Sequence, residues 1–123
     1  MSLAFDISGN FKFPAYDGGD LVPIPFASSG SYTAQDGGIL TLTGSGTEVV
    51  DLGTVAKVKA LLILVGTGTG AAEVGIKLNG QTTATPITPG GGMVLWSPTP
   101  DTGISSLSID YTSDITVQVV ALG

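Results

Sequence analysis

Few residue groupings in this chain have the types and spacing that chemistry needs. Val65-Gly66-Thr67-Gly68-Thr69-Gly70-Ala71 has the Gly-x-Gly-x-x-Ala spacing that lets a backbone approach a pyrophosphate. That use also requires a following helix and an acid about 20 residues on to hold a ribose. Asn79-Gly80 breaks the chain too early for such a helix, and no acid stands at that distance. The run also lacks the Gly-Lys-Ser/Thr ending of a phosphate loop. It reads as a flexible loop between strands.

Acids offer two further chemistries. Asp17-Gly18-Gly19-Asp20, with Asp36, could supply oxygens to calcium. Calcium wants six to eight oxygens, and two acids in a glycine turn are more often turn residues. Paired carboxylates hydrolyse glycosides, and the candidates are Glu48, Asp51, Glu73, Asp101, Asp110 and Asp114. Most fall at strand ends or in turns, and no aromatic platform for a sugar surrounds them. A Ser–Lys dyad using Lys57 or Lys59 has no supporting motif; lysines there guard a strand edge. Trp96, ahead of Ser97-Pro98-Thr99-Pro100, could rim a ligand site. A lone Trp is more often a core residue at a sandwich end.

Composition removes much of the rest. The 123 residues contain neither Cys nor His. Disulfides, thiolate metal sites, Ser-His-Asp triads and nearly every zinc, copper or non-haem iron site are thereby excluded. Four Lys against ten acids give a net charge of −6. A nucleic-acid binder needs a basic stripe, which Lys12, Lys57, Lys59 and Lys77 do not make. Anionic membranes are disfavoured for the same reason. The longest apolar run, Ala60 to Val65, is far shorter than the ~20 residues of a spanning helix. The N-terminus lacks the basic start and long apolar stretch of a secretory signal. No cofactor, metal or catalytic residue is expected, and the chain is read as no enzyme.

The elements that must position anything here are strands. No window sustains helical apolar spacing, while 19 Gly and seven Pro punctuate the chain. Phe5 and Ile7, then Gly9-Asn10, then Phe11 and Phe13, suggest a small hairpin. Ile39 to Thr43 and Glu48 to Leu52 follow as short strands. Lys59 to Val65 is apolar on both parities, as in a sheet centre or at a subunit contact. Val74, Ile76 and Leu78 lead into Asn79-Gly80, the strongest short hairpin signal, with Gln81 to Thr85 beyond. Met93 to Ser97 is another strand. Leu107 to Tyr111 and Ile115 to Ala121 flank Thr112-Ser113-Asp114 as a closing hairpin. Eight to ten strands, with Pro86 to Gly92 as a long connection, predict an all-β fold: an antiparallel β-sandwich, jelly-roll or Greek-key like.

Residues 1–26 differ from residues 27–123. Phe5, Phe11, Phe13, Tyr16 and Phe26 lie there, with Pro14, Pro23 and Pro25. Prolines bar Leu21 to Phe26 from a central strand. The stretch is an edge strand or an extended arm, or its rings complete the domain's own core. As an arm, its five aromatics are the candidate partner-docking residues, because rings anchor interfaces.

Glu48 to Gly53, Val58 to Ile63 and Val74 to Gly80 resemble small β-sandwich virion proteins of tailed bacteriophages. Pro86-Ile87-Thr88-Pro89-Gly90-Gly91-Gly92 and the strand Ile115 to Leu122 add to the resemblance, which covers about residues 47–123. It implies a non-enzymatic structural virion protein, first a capsid decoration (cement) subunit that stabilises neighbouring shell proteins. The alternatives are a tail- or fibre-associated accessory protein, or a carbohydrate- or receptor-binding sandwich. The implied partners are the major capsid protein or other virion structural proteins, and the implied place is the virion, after synthesis in the host cytoplasm. The mean hydropathy of +0.44 and 11% charged residues, less than half the usual ~25%, point to surface covered by other chains. A closed homo-oligomer is expected, trimer ahead of dimer.

Overall fold

The computed structural model of the chain describes residues 2–14, 16–97 and 99–123. Ten strands make up its regular structure: β1 Leu3–Pro14, β2 Leu21–Tyr32, β3 Gln35–Leu42, β4 Gly46–Val50, β5 Ala60–Val65, β6 Val74–Leu78, β7 Thr85–Ile87, β8 Gly92–Trp96, β9 Leu107–Tyr111 and β10 Ile115–Leu122. All pairings are antiparallel. The described residues include no helix.

Strands β3 to β10 form a jelly roll. β6 pairs with β7, β5 with β8, β4 with β9 and β3 with β10, as in one long ribbon bent at β6–β7. Rolling that ribbon brings β10 beside β5 and β9 beside β6. Two four-stranded sheets result, β3-β10-β5-β8 and β4-β9-β6-β7. Period-two alternation turns one parity of each strand inward. Leu61, Ile63, Val117 and Val119 from the first sheet meet Val74, Ile76, Leu107 and Ile109 from the second. Leu52, Val55 and Val58, from the link between β4 and β5, extend this core.

The Asn79-Gly80 turn forms as its sequence predicts. Both residues hold positive φ, +54° and +70°, and the Gln81 N–H donates to the Leu78 carbonyl across 3.2 Å. That is the type I′ signature. The returning strand is shorter and later than expected, at Thr85–Ile87. The Asn79 side chain also ties this turn to the loop before β9. Its Oδ1 accepts from the Ser105 N–H at 2.8 Å, and its Nδ2 donates to the Gly103 carbonyl at 2.9 Å.

Three sequence expectations change. β9 and β10 are strands, but they lie in different sheets, so Thr112–Asp114 is an arch rather than a hairpin. Their apolar parities face each other across the core instead of pairing edge to edge. Gly9-Asn10 is no turn: β1 runs straight through it, and the hairpin bends after Pro14. Trp96 is outside the core, on the outer face of edge strand β8. Pro98, in the stretch behind Trp96, lies outside the described residues.

Candidate functional site

β1 and β2 stand apart from the sandwich as a two-stranded hairpin twelve pairs long. The compositional break falls after residue 26, while β2 runs on to Tyr32. Partners in an antiparallel ladder share a face. The pairs Leu3/Tyr32, Phe5/Gly30 and Ile7/Ser28, then Gly9/Phe26, Phe11/Ile24 and Phe13/Val22, therefore line one face. The other carries Asp6/Ser29, Ser8/Ala27, Asn10/Pro25 and Lys12/Pro23. The hairpin is an amphipathic arm. Pro23 and Pro25 share a parity, so both missing N–H groups fall on the outer edge of β2, where the ladder needs none. They also deny that edge to an added strand.

The arm's base is seated on its own sandwich. Phe5 is 7% exposed and sits over the outer face of β5, β8 and β10, lining one apolar crevice with Leu62, Val94 and Val120. Tyr32 packs on it with ring centroids 6.3 Å apart. Further along, Phe26 stacks on Trp96 at 5.8 Å and 24°. Gly9 makes that stack possible: a Cβ there would come within 2.8 Å of the Phe26 ring. At the root, Thr33 and Ala34 N–H groups donate to the Gly123 carbonyl, and Lys59 Nζ donates to the Ser31 carbonyl at 3.1 Å.

Past the Gly9/Phe26 pair the arm is free. Five more ladder pairs carry it roughly 17 Å further at ~3.4 Å per residue. Phe11 is 66% exposed and Ile24 51%, and Phe13, Val22 and the tip residues Tyr16 and Leu21 are exposed too. Phe11 and Phe13 rings lie 6.0 Å apart, a small exposed apolar cluster. Of the five aromatics read from the sequence, Phe5 and Phe26 belong to the seat, Phe26 stacked on one side and still 37% exposed. Phe11, Phe13 and Tyr16 belong to the free half.

The two outer faces of the sandwich differ in kind. On the β4-β9-β6-β7 sheet, Thr47, Ser108, Asp110 and Lys77 face out, together with Val49, 74% exposed on edge strand β4. Thr47 Oγ1 donates to Asp110 Oδ1 at 2.7 Å, and Lys77 Nζ lies 3.0 Å from Asp110 Oδ2. The Thr47 hydroxyl first, then the Lys77 ammonium, hold the Asp110 carboxyl below its usual range. On the β3-β10-β5-β8 sheet, outward rows read Gln35, Leu122, Ala60, Trp96; then Gly37, Val120, Leu62, Val94; then Ile39, Gln118, Leu64, Gly92. The arm lies over Leu122, Ala60 and Trp96 of the first row and part of the second, leaving Gln35 exposed. Ile39 stays 68% exposed, and Leu64 and Val94 are exposed beside it. An apolar crevice of about 260 Å³ remains between arm and sheet, with Asp6 at its rim.

The other sequence candidates resolve into local structure. Gly66 to Glu73 is the β5–β6 loop, with β6 opening at Val74. Asp17 to Asp20 form the arm's tip, where the Gly19 N–H donates to the Tyr16 carbonyl. Asp51, Asp101 and Asp114 each accept a backbone N–H from a turn glycine, Gly53, Gly103 and Gly44. Glu48 and Asp51, with Asp36, rim a 290 Å³ cleft between the open edges β3 and β4. Glu48 points inward beside Ile109, a placement that discourages edge-to-edge pairing. Among the described residues no three His, Cys, Asp or Glu side chains are grouped to hold a metal.

No protein-family model matches the chain, nor does any curated protein or solved structure. The geometry of arm and sheet face stands on its own. Sequence reasoning missed the Phe26–Trp96 seat. Its one local signal was a lone glycine inside a strand pattern, which can mark a close approach of another group.

Proposed function

We propose that this chain is a non-enzymatic structural subunit of a larger protein assembly, and in its specific form a virion decoration subunit. In this reading the arm is a clamp between neighbouring subunits. The observation that carries it is the free half of the arm, a projecting apolar face that the sandwich does not need for its own core. A two-stranded hairpin alone is marginal in water, and contiguous exposed apolar surface on a small domain usually marks an interface. The jelly roll supplies a rigid base, an architecture that serves in viral capsids and also in lectins. The β4-β9-β6-β7 face, polar apart from Val49 at its β4 edge, gives such a subunit a solvated side opposite its docking side.

Sedimentation with assembled virion shells tests this. Purified chain should pellet with shells lacking it, saturably and in a fixed ratio to the major shell protein. The variant Phe11→Asp should lose that binding while keeping its β-sheet circular dichroism. Retention on a glycan surface with no binding to shells would replace the decoration reading with the lectin one.

A further inference from the structure

The geometry points to a specific occupant for the free arm: the outer β3-β10-β5-β8 face of a second copy of this chain, in a head-to-tail closed ring. The inference rests on the reading of the arm as a clamp and names what it clamps.

Four observations lead there. First, the molecule contains its own template. The arm's apolar face is already laid on this sheet face through Phe5, and through Phe26 on Trp96. The free half continues the same face with the same kind of residue, Phe11, Ile24, Phe13 and Val22. Second, the same sheet face is only partly covered, leaving Ile39, Leu64 and Val94 exposed. Each copy thus has one unmatched apolar donor and one unmatched apolar receiver. Third, the facing apolar surfaces carry no charged side chain, the arm's acids Asp17 and Asp20 being confined to its tip. Lys12 projects from the arm's opposite face, and Gln118 is the one polar side chain in the receiver row. Fourth, Gly37 and Gly92 sit at outward positions on the two edge strands. They leave the backbone low beside Val120 and Leu64, so a flat hairpin can lie close.

The placement of donor and receiver selects the symmetry. The arm passes over β10 and β5 and reaches Trp96 on edge strand β8, so its free half leaves by the β8 side. Its apolar face looks down towards the plane of its own sheet. It therefore meets a neighbour lying alongside in the same orientation, not one facing it. A two-fold dimer would bring β8 edge to β8 edge, where the partner's own Phe26 and Trp96 already occupy the surface. Of the open receiver residues, Val94 lies on β8 beside the arm's own seat, while Leu64 on β5 and Ile39 on β3, the opposite edge, lie clear of it. The contact is thus β8 side to β3 side, which is heterologous, and three copies are the fewest that close such a ring. At ~150–250 Å² per covered aromatic side chain, the free half of the arm supplies roughly half of the ~800 Å² that each side of a standard interface buries. The adjoining edges β8 and β3 supply the remainder. All arms then lie on one side of the ring, and the β4-β9-β6-β7 sheets lie on the other.

The absence of Cys makes a clean test. Asp17→Cys marks the exposed arm tip, and Thr41→Cys marks the exposed outer surface of β3 next to Ile39. The full chain carrying both changes is treated with a short bis-maleimide at tens of micromolar. Covalent trimers are expected, with a light-scattering mass three times 12.3 kDa before cross-linking. Mixed single variants should link Asp17→Cys chains to Thr41→Cys chains, and neither should link to itself. Ile24→Asp should give a monomer that keeps its β-sheet circular dichroism and cooperative melting. A monomer at 100 micromolar, self-linking of Asp17→Cys, or an open-ended ladder of products would each overturn the ring. The two readings fail separately. A monomer that still pellets with shells leaves the structural role standing without the ring, and a ring that ignores shells does the reverse.

Discussion

Phe5→Ala should free the arm without unfolding the sandwich. Phe5 is the most deeply covered side chain of the hairpin, 7% exposed among Leu62, Val94 and Val120. Phe→Ala in a closed core costs about 3–5 kcal/mol. This seat is open on one side, where the 260 Å³ crevice lets neighbours and water relax into the gap. The low end, about 3 kcal/mol, is therefore expected. The remaining ties of the arm are the Phe26–Trp96 stack, the Lys59–Ser31 bond and the Gly123 bonds at its root. An unsupported hairpin has little stability of its own, so the lost energy falls on local opening of the arm. At about 1.4 kcal/mol per factor of ten, amides of β1 and β2 should lose roughly a hundredfold of their exchange protection. Amides of Leu61 to Val65 and Val117 to Ala121 should keep theirs. Native-state hydrogen exchange read residue by residue gives both numbers. Equal losses in arm and sandwich would show one cooperative unit and refute the separation. Unchanged arm protection would show that Phe5 does not hold it.

Trp96 is the chain's one tryptophan, so its emission reports the seat directly. Gly9→Ala should push the Phe26 ring off Trp96 and red-shift that emission, as Phe26→Ala should; an unshifted spectrum would show that the ring has room to stay. Gly80→Val should lower stability by about 1–3 kcal/mol through backbone strain alone, since nothing lies within 4 Å of a Cβ at Gly80 and its φ is +70°; an unchanged denaturant midpoint would contradict the type I′ turn. The Asp110 carboxyl is held below its usual range, so its contribution is present above the unfolded value of about 3.9 and fades as pH falls through the folded one. With no His or Cys to titrate, melting temperature should be level from about pH 5 to 8 and fall below about pH 4, with a shallower acid slope in Asp110→Asn. A step between pH 5 and 8 would count against that account.

Strand faces were legible in the sequence; strand partners, apart from the β6–β7 hairpin, were not. Ala60 to Val65 is apolar on both parities, and β5 proves central, with Leu61 and Ile63 in the core and Leu62 beneath the arm. Asn79-Gly80 is legible because positive φ at two successive residues is a demand few dipeptides meet. Leu107 to Tyr111 and Ile115 to Ala121 show the opposite case. Alternation says which side of a strand is buried, but it is the same whether the next strand pairs alongside or crosses to the facing sheet. Gly9 was ambiguous for another reason. A glycine serves equally as a turn residue or as a bare patch beneath a ring, and only Phe26, seventeen positions away, decides. The apolar outer face was hidden because Ile39, Leu64 and Val94 come from three strands that the roll alone brings together.

The position of β10 governs how the chain can fold. It is the final strand in chain order, yet it lies between β3 and β5 and holds the apolar sheet together. β3 and β5 have no pairing with each other, so the sheet is incomplete until Ile115 to Leu122 have been made. During synthesis, at about 5–20 residues per second, the N-terminal arm waits with its apolar face uncovered and its seat unbuilt. Pairing β3 with β10 closes a loop of more than seventy residues, the kind of distant contact that slows folding. Nascent chains crowded on one message would hold unseated arms side by side for seconds, and the prolines along β2 and the inward Glu48 on β4 would then act as guards against premature strand pairing.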